Sequence, residues 1–232
     1  MKRNYILALF LSLVLIVATY YIGNGAITYS VQVKDALNDS TCKIKEINEE
    51  KEKYIIKAYM PYTGIEQLDK KIEISYNTII EDFKKEVDTL EVLGSGKKFS
   101  LSINFNSYEY DNYQSFLISY LCYYGGAHPN SEAVTINYNK KDGNFVDIDT
   151  LVSKDKEVLN TFSKYSYDSL KDKKDMSENE DMLITGTKPK KENFQKFVFS
   201  NEGLILFFTN YSVAPYYLGD FEVVIPYDKI NI

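Results

Sequence analysis

The sequence contains no tryptophan, a single histidine (His128), two cysteines and a single arginine (Arg3). One histidine and two cysteines leave few residues for a transition-metal site or for a nucleophile paired with a base. The 27 basic residues are outnumbered by 33 acidic ones, which gives a net charge of −6. This charge argues against a protein that binds nucleic acid.

The rest of the composition indicates a folded protein. The chain has 232 residues, of which 44% are hydrophobic and 15% aromatic, and this apolar content is enough for a core and argues against disorder. The preference for lysine over arginine, together with many asparagines, isoleucines and tyrosines, is typical of an AT-rich genome. We therefore expect the source to be a low-GC bacterium.

The N-terminus predicts a membrane anchor. Residues 5–22 carry no charge and follow Lys2 and Arg3. Eighteen helical residues cover about 27 Å, close to the thickness of the hydrocarbon core of a bilayer. We predict a transmembrane signal anchor over residues 1–23, with the N-terminus cytoplasmic and the rest extracellular. The alternative is a signal peptide that is cleaved near residues 23–26, although its apolar region is usually shorter.

The two cysteines would lie in the exported part, where thiols can be oxidised. Cys42 and Cys122 are the only pair available. They form either a disulfide or two separate buried thiols, because an unoxidised cysteine packs as a small hydrophobic residue. Without Lys2 and Arg3, 25 basic residues remain against 33 acidic ones, so the exported part is more acidic than the whole chain.

After a polar stalk (residues 24–40), residues 41–140 are predicted to form a first α+β subdomain. Apolar residues from Ile65 to Val87 recur at spacings of three and four, which is typical of a long amphipathic helix. The period then changes to two, which predicts antiparallel strands with turns at Asp111-Asn112 and Asp142-Gly143. The predicted strands are residues 42–47, 54–59, 99–106, 116–124 and 134–138; the strand over 116–124 is apolar on both faces and should be central.

Residues 141–232 are predicted to form a second α+β subdomain, packed with the first as one ectodomain. Residues 155–170 favour a helix, with Ser153 as its cap. The charged stretch from Lys171 to Asn193 indicates a solvated loop. Three further strands are predicted at residues 194–199, 204–208 and 221–225. The fold class is therefore α+β, with antiparallel sheets, a helix in each half and one transmembrane helix before them.

Two motifs and a closing tripeptide carry a resemblance to a known family. They are Cys122-Tyr-Tyr-Gly-Gly-Ala-His-Pro129, the segment Tyr211-Ser-Val-Ala-Pro-Tyr-Tyr-Leu-Gly219 after an apolar strand that begins at Gly203, and Ile225-Pro-Tyr227. They resemble the extracellular region of RsiV-type anti-sigma factors, which also forms the N-terminal module of PdaC-type peptidoglycan deacetylases. The resemblance covers residues 41–230.

The resemblance implies a binding or sensing role. The RsiV-type ectodomain is a lysozyme receptor whose cytoplasmic segment holds a sigma factor, but only residues 1–4 precede the predicted anchor here. The deacetylases carry a separate catalytic domain, for which the sequence shows no counterpart. We therefore expect a non-catalytic binding domain of the cell envelope whose partner is a lysozyme-like cationic protein or peptidoglycan. The alternatives are a peptidoglycan hydrolase or deacetylase and a purely structural envelope domain.

The candidate binding residues come from the two motifs. His128 follows two glycines at a strand end, where imidazole could bind a partner or act as an acid or base. The alternative is structural, since Gly125 and Gly126 permit a tight turn. The tyrosines offer apolar area and a hydroxyl for a sugar or a protein, or else fill the edge of the core. The full set is Tyr123, Tyr124, Gly125, Gly126, Ala127, His128, Tyr211, Pro215, Tyr216 and Tyr217.

Acid–base catalysis would need paired carboxylates, and the best candidates lie in turns. They are Glu109, Asp111, Asp147 and Asp149, for which a solvated turn residue is the simpler interpretation. No motif for a phosphate loop, a serine nucleophile or a zinc helix is present, and we predict no metal or cofactor.

A last prediction concerns how the two motifs meet. Each follows an apolar strand and breaks into glycine, alanine, proline and tyrosine. We predict that residues 124–130 and 211–219 lie side by side and form one surface, because function usually collects on loops at strand ends. A separation of His128 and Tyr216 beyond about 20 Å, the reach of one interface patch, would contradict this prediction.

Overall fold

The computed structural model describes residues 17–22, 25–30 and 42–231. Strands β1 (Val17–Ile22) and β2 (Gly25–Ser30) pair in an antiparallel two-stranded sheet. The last six residues of the predicted span over residues 5–22 are thus a strand rather than a helix, as their β-branched and aromatic residues favour. Residues 1–16 and most of the predicted stalk lie outside the described residues. None of the described helices is long and apolar enough to cross a membrane.

A mixed sheet of six strands, here called the large sheet, organises the rest of the first half. Its strand order is β3-β4-β5-β6-β7-β8, and only the pair β4/β5 is parallel. Parallel neighbours need a crossover, and the long helix α1 (Glu66–Thr89) supplies it. The strands are β3 (Lys43–Glu50), β4 (Tyr54–Tyr62), β5 (Phe99–Tyr110), β6 (Tyr113–Tyr123), β7 (Asn130–Asn139) and β8 (Asn144–Phe145).

Helix α1 covers one face of the large sheet, and the predicted apolar stripe is confirmed. The buried residues of α1 recur at spacings of three and four: Leu68, Ile72, Tyr76, Ile79, Ile80, Phe83 and Val87. They pack against the inward side chains of β4, β5 and β6, including Ile56, Ile103 and Phe116. Burial of this stripe holds the helix, because a helix in water is stabilised mainly by packing of its apolar face.

The prediction that residues 116–124 form a central strand is also confirmed. Strand β6 lies between β5 and β7, and its side chains alternate between two buried layers. Phe116 and Ile118 face α1, whereas Leu117 faces the opposite side of the sheet. The predicted turn at Asp111-Asn112 joins β5 to β6, and Asp111 adopts a left-handed conformation with φ +50°.

The second half contributes a three-stranded antiparallel sheet, the small sheet, with the order β11-β10-β9. One face packs against helices through Phe162, Leu206 and Val223. The other face packs on the large sheet, where Ile205 and Phe207 belong to one buried cluster with Leu117. The elements are α2 (Ile148–Lys154), α3 (Val158–Leu170), α4 (Glu180–Thr187), β9 (Phe197–Ser200), β10 (Gly203–Phe208) and β11 (Phe221–Ile225).

Three details of the second half differ from the predictions. The predicted loop over residues 171–193 contains α4, because Met176 and Leu183 are buried in the helical core despite their charged neighbours. The helix predicted over residues 155–170 is confirmed as α3, but a further helix that was not predicted, α2, precedes it. Ser153 lies within α2 and does not cap α3, whose N-cap residue is Glu157; α2 itself is capped by Asp147, whose side chain accepts a hydrogen bond from the Thr150 N–H. The boundary between residues 140 and 141 stays a prediction.

The alternative of a disulfide between Cys42 and Cys122 is wrong. Both residues are thiols in the structure. Cys122 lies opposite Leu101, which lies opposite Ile56, and Ile56 pairs with Glu49. Glu49 therefore marks the level of Cys122 on β3, and Cys42 lies seven residues before Glu49. The two cysteines are thus about 23 Å apart along the strand direction and also three strands apart across the sheet. A disulfide needs Cα atoms within about 7 Å.

Candidate functional site

The first motif forms the loop between β6 and β7. Gly125 has φ +83°, a conformation that glycine adopts without strain. A Cβ atom at this position would lie 2.5 Å from Leu93 Cδ2, so the Leu93 side chain would have to shift to admit one. Gly126 has no left-handed φ, although both glycines were candidates for the tight turn. Gly125 therefore sets the path of the chain toward His128.

The second motif forms the connection between β10 and β11. Val213 and Ala214 are buried in the helical core, which anchors the segment. Pro215 precedes a short 3-10 helix (Tyr216–Leu218), and the segment leaves it through Gly219 at φ +77°. Anchoring by the two small apolar residues leaves Tyr211 and Tyr217 on the surface, with 58% and 66% of each residue exposed.

The two motifs meet at His128 and Tyr216. Their rings stack with 3.7 Å between centroids and 18° between planes. Tyr211 lies beside this pair, with its ring centroid 6.1 Å from that of Tyr216. The prediction that residues 124–130 and 211–219 lie side by side is confirmed. We call the surface of His128, Tyr211, Tyr216 and Tyr217 the aromatic patch.

Polar contacts join the same two segments next to the aromatic patch. Ser131, at the start of β7, donates to the carboxylate of Asp220 at 3.3 Å and accepts a bond from Asn210 Nδ2 at 2.7 Å. Loss of water around the Asp220 carboxylate raises its pKa, against the lowering effect of hydrogen bonds from the Asn210 N–H and Ser131. Asp220 is nevertheless an exposed residue, so a ligand can reach its carboxylate despite the protein groups around it.

Tyr124 does not join the aromatic patch. Tyr124 points to the α1 side of the large sheet, where its ring lies 5.6 Å from that of Phe83. Burial raises the pKa of the Tyr124 hydroxyl, and a hydrogen bond with Cys122 raises it further. Tyr123 is buried on the opposite face. Alternation along β6 thus separates two tyrosines that are adjacent in sequence.

The four candidate carboxylates have structural partners. Asp147 caps α2, and its pKa is lowered by hydrogen bonds from the N–H and the hydroxyl of Thr150. Asp149 forms an ion pair with Lys191, and Glu109 forms one with Lys140 at 3.2 Å. Asp111 occupies the left-handed turn between β5 and β6, where its carboxylate accepts a hydrogen bond from Asn112 Nδ2 at 2.9 Å.

His128 is held by its neighbours. Its Nδ1 atom lies 3.1 Å from the carbonyl oxygen of Pro129, and the stacked Tyr216 ring covers one of its faces. In the part of the chain that the structure describes, no three His, Cys, Asp or Glu side chains converge as they would around a metal ion.

Sequence reasoning missed Ser131, Asn210 and Asp220. Asn210 and Asp220 directly precede and follow the second motif, and this adjacency in the sequence could have identified them as candidates. Their link to Ser131 depends on the packing of the small sheet on the large one. Gly186 was also missed: a Cβ atom there would lie 1.9 Å from the Ser212 carbonyl oxygen, so α4 supports the second motif through direct backbone contact.

Residues 149–228 match the model of a family that is described as a protein of unknown function, DUF3298. Two solved structures of that family show the same fold. One, from Pseudomonas aeruginosa PAO1, has a TM-score of 0.59 at 15% identity, and the other, from Bacteroides fragilis NCTC 9343, has 0.54 at 16% identity. Each match covers 81% of this chain and 90% of the other chain.

A curated relative is also similar. The peptidoglycan-N-acetylmuramic acid deacetylase PdaC of Bacillus subtilis is 29% identical over 161 residues, which are 69% of this chain and 34% of the relative. The match thus spans about a third of the relative's length. By these comparisons the chain is similar to DUF3298 over residues 149–228 and to about a third of PdaC; the RsiV-type resemblance is not confirmed by them.

Proposed function

We propose that this protein is a non-catalytic binding domain of the bacterial cell envelope, and that its aromatic patch contacts peptidoglycan glycan. The observation that carries the proposal is the stack of His128 on Tyr216, which joins both motifs into one surface with the exposed ring of Tyr211 beside it and the exposed Tyr217 next in the chain. Tyrosine suits such a surface because its ring packs against the apolar face of a sugar while its hydroxyl can bond.

The similarity to PdaC supports a role at peptidoglycan, since that relative's name places its substrate there. The acidic balance of the chain supports a second partner, a lysozyme-like cationic protein, because complementary charge raises the rate of encounter. A membrane anchor in the N-terminal apolar segment, of which residues 5–16 lie outside the described residues, belongs to the same proposal and would hold the domain at the outer face of the membrane.

Co-sedimentation with insoluble peptidoglycan sacculi tests the glycan arm. We expect the purified full-length chain to sediment with sacculi, and the double variant Tyr211→Ala/Tyr217→Ala to lose most of the bound fraction. Both rings are exposed, so the fold should survive. Tyr62→Ala is the matched control, since Tyr62 is 53% exposed at the end of β4 and outside the patch. An unmodified chain that stays in the supernatant would rule the glycan arm out.

Binding to immobilised lysozyme tests the protein arm. A cationic partner predicts micromolar binding that weakens as salt is added, since screening acts on exposed charges. If no salt-sensitive binding occurs, the protein arm fails while the glycan arm is judged by sedimentation alone.

The deacetylase or hydrolase alternative is tested by turnover. The proposal expects neither acetate nor new reducing ends when the chain is incubated with N-acetylated peptidoglycan fragments. Turnover that disappears in His128→Ala would contradict the non-catalytic proposal and support the enzyme.

A further inference from the structure

A cleft of about 290 Å³ opens where the small sheet diverges from the large one. Its floor is the face of β5, β6 and β7 that points away from α1. Its roof is the end of β10 and the start of β11. The cleft is distinct from the aromatic patch, but Asp220 belongs to its wall and also bonds Ser131, three residues from His128.

The floor carries polar side chains beside apolar ones, at a place where a sheet interface is normally apolar. Asn104, Ser119 and Ala133 lie directly opposite one another on three adjacent strands, so they form one row across the sheet. Asn104 and Ser119 are half-buried, and within the described residues neither side chain has a hydrogen-bond partner. Half-buried amides and hydroxyls without protein partners must bond water or a ligand. The small side chain of Ala133 leaves room above the row.

The roof supplies the complementary chemistry. Asp220 and Glu222 are two residues apart at the start of β11, and both line the cleft, together with the ring of Phe207. Two carboxylates accept hydrogen bonds from hydroxyl groups and repel anions. Phe207 adds an apolar surface beside them.

We propose that this cleft binds one neutral N-acetylated sugar unit of a glycan strand. Sugar hydroxyls donate to Asp220 and Glu222, and the amide of Asn104 pairs with a hydroxyl or the acetamido group. Phe207 contacts the apolar edge of the ring. The acidic roof selects the neutral N-acetylglucosamine unit over a sugar that carries a carboxylate. This inference rests on the proposed function, because it assigns the cleft next to the aromatic patch as the site that binds one sugar of the same glycan.

Titration of the full-length chain with a soluble β-1,4-linked tetramer of N-acetylglucosamine tests the site. We expect Asn104→Ala and Asp220→Asn each to raise the Kd about tenfold, which corresponds to the loss of one hydrogen bond to a charged or amide group. The matched controls, Asn144→Ala on β8 and Asp172→Asn, replace exposed residues outside the cleft and should leave the Kd unchanged. Thermal unfolding of each variant verifies that it is folded.

The outcomes separate this inference from the proposed function. If the tetramer binds with unchanged Kd in both cleft variants, or shifts no backbone amide signal of Asn104 and Ser119, the cleft is not its site. Failure of the tetramer to bind at millimolar concentration, while sacculi still sediment the chain, also overturns the cleft and leaves the patch intact. If sacculi do not sediment the chain and the tetramer does not bind, both proposals fail.

Discussion

His128 and Tyr216 are 88 positions apart in sequence, and their rings stack at 3.7 Å between centroids. The contact joins the loop after β6 to the connection after β10, and so couples the large sheet to the small one at the surface. A stacked pair of this kind contributes about 0.5–1.5 kcal/mol beyond the area that it buries.

A double-mutant cycle measures that coupling. We expect His128→Ala and Tyr216→Ala together to cost about 1 kcal/mol less free energy of unfolding than the sum of the single changes, because the stack can be lost only once. Urea denaturation of the four proteins gives the value. The control is a second cycle that combines His128→Ala with Tyr217→Ala. In this cycle we expect the two losses of unfolding free energy to add. Additivity in both cycles would mean that the stack has no energetic role.

Gly125 gives a prediction about the loop that carries His128. Gly125→Ala should lower the free energy of unfolding by about 1–2 kcal/mol, because alanine at φ +83° is strained and its Cβ meets Leu93. Gly126→Ala is the matched control: its Cβ would lie 4.0 Å from the nearest atom, the His128 carbonyl oxygen. Chemical denaturation gives the free energy of unfolding of the two variants. Equal stability of both would contradict the structural role of Gly125.

Gly186 tests whether α4 supports the second motif. Gly186→Ala should destabilise the protein by at least about 2 kcal/mol, because the new Cβ would overlap the Ser212 carbonyl oxygen, and a backbone atom cannot turn aside as a side chain can. Gly94→Ala, where a Cβ meets nothing within 4 Å, should change stability little. We also expect Gly186→Ala to weaken binding to sacculi, since it displaces the segment that holds Tyr216. Unchanged unfolding would show that α4 does not press on this segment.

Asp147 predicts a pH dependence of stability. Its pKa is lowered in the folded state from the ordinary value of 3.8 by the hydrogen bonds from Thr150. A lowered pKa means that the stabilising contribution is complete above the ordinary value and is lost as the pH falls through the folded value. Asp147→Ala should therefore cost about 1 kcal/mol near neutral pH, and this difference should shrink on acidification. Urea unfolding at decreasing pH measures it; Asp172→Asn, an exposed replacement elsewhere, should show no such trend.

The sequence alone predicted the elements whose signals are local. The apolar stripe of α1 and the alternation along β5 follow from the way side chains are displayed on a helix and on a strand. The turn at Asp111-Asn112 follows from residues that tolerate a left-handed conformation. The double-sided apolar character of β6 likewise indicated its central position, because each face needs its own buried layer.

Predictions failed where the outcome depends on distant partners. The buried Leu183 and Met176 stabilise α4 and the turn before it only because the helical core of the second half receives them, so the charged residues around them misled the prediction. The separation of Cys42 from Cys122 is set by strand order and register, which no spacing in the sequence records.

For the candidate site, the sequence by itself determined the residue types of the two motifs, the glycine that the loop needs and the expectation that the motifs meet. Only the tertiary structure decided that Tyr124 turns to α1 while Tyr216 stacks on His128, and that Asp220 reaches Ser131. Asn104 and Glu222 line one cleft for the same reason. The contacts of Tyr216 and Asp220 and the lining of the cleft form because the small sheet packs across the face of the large sheet opposite α1, and that packing sums many weak side-chain contacts between residues far apart in the chain.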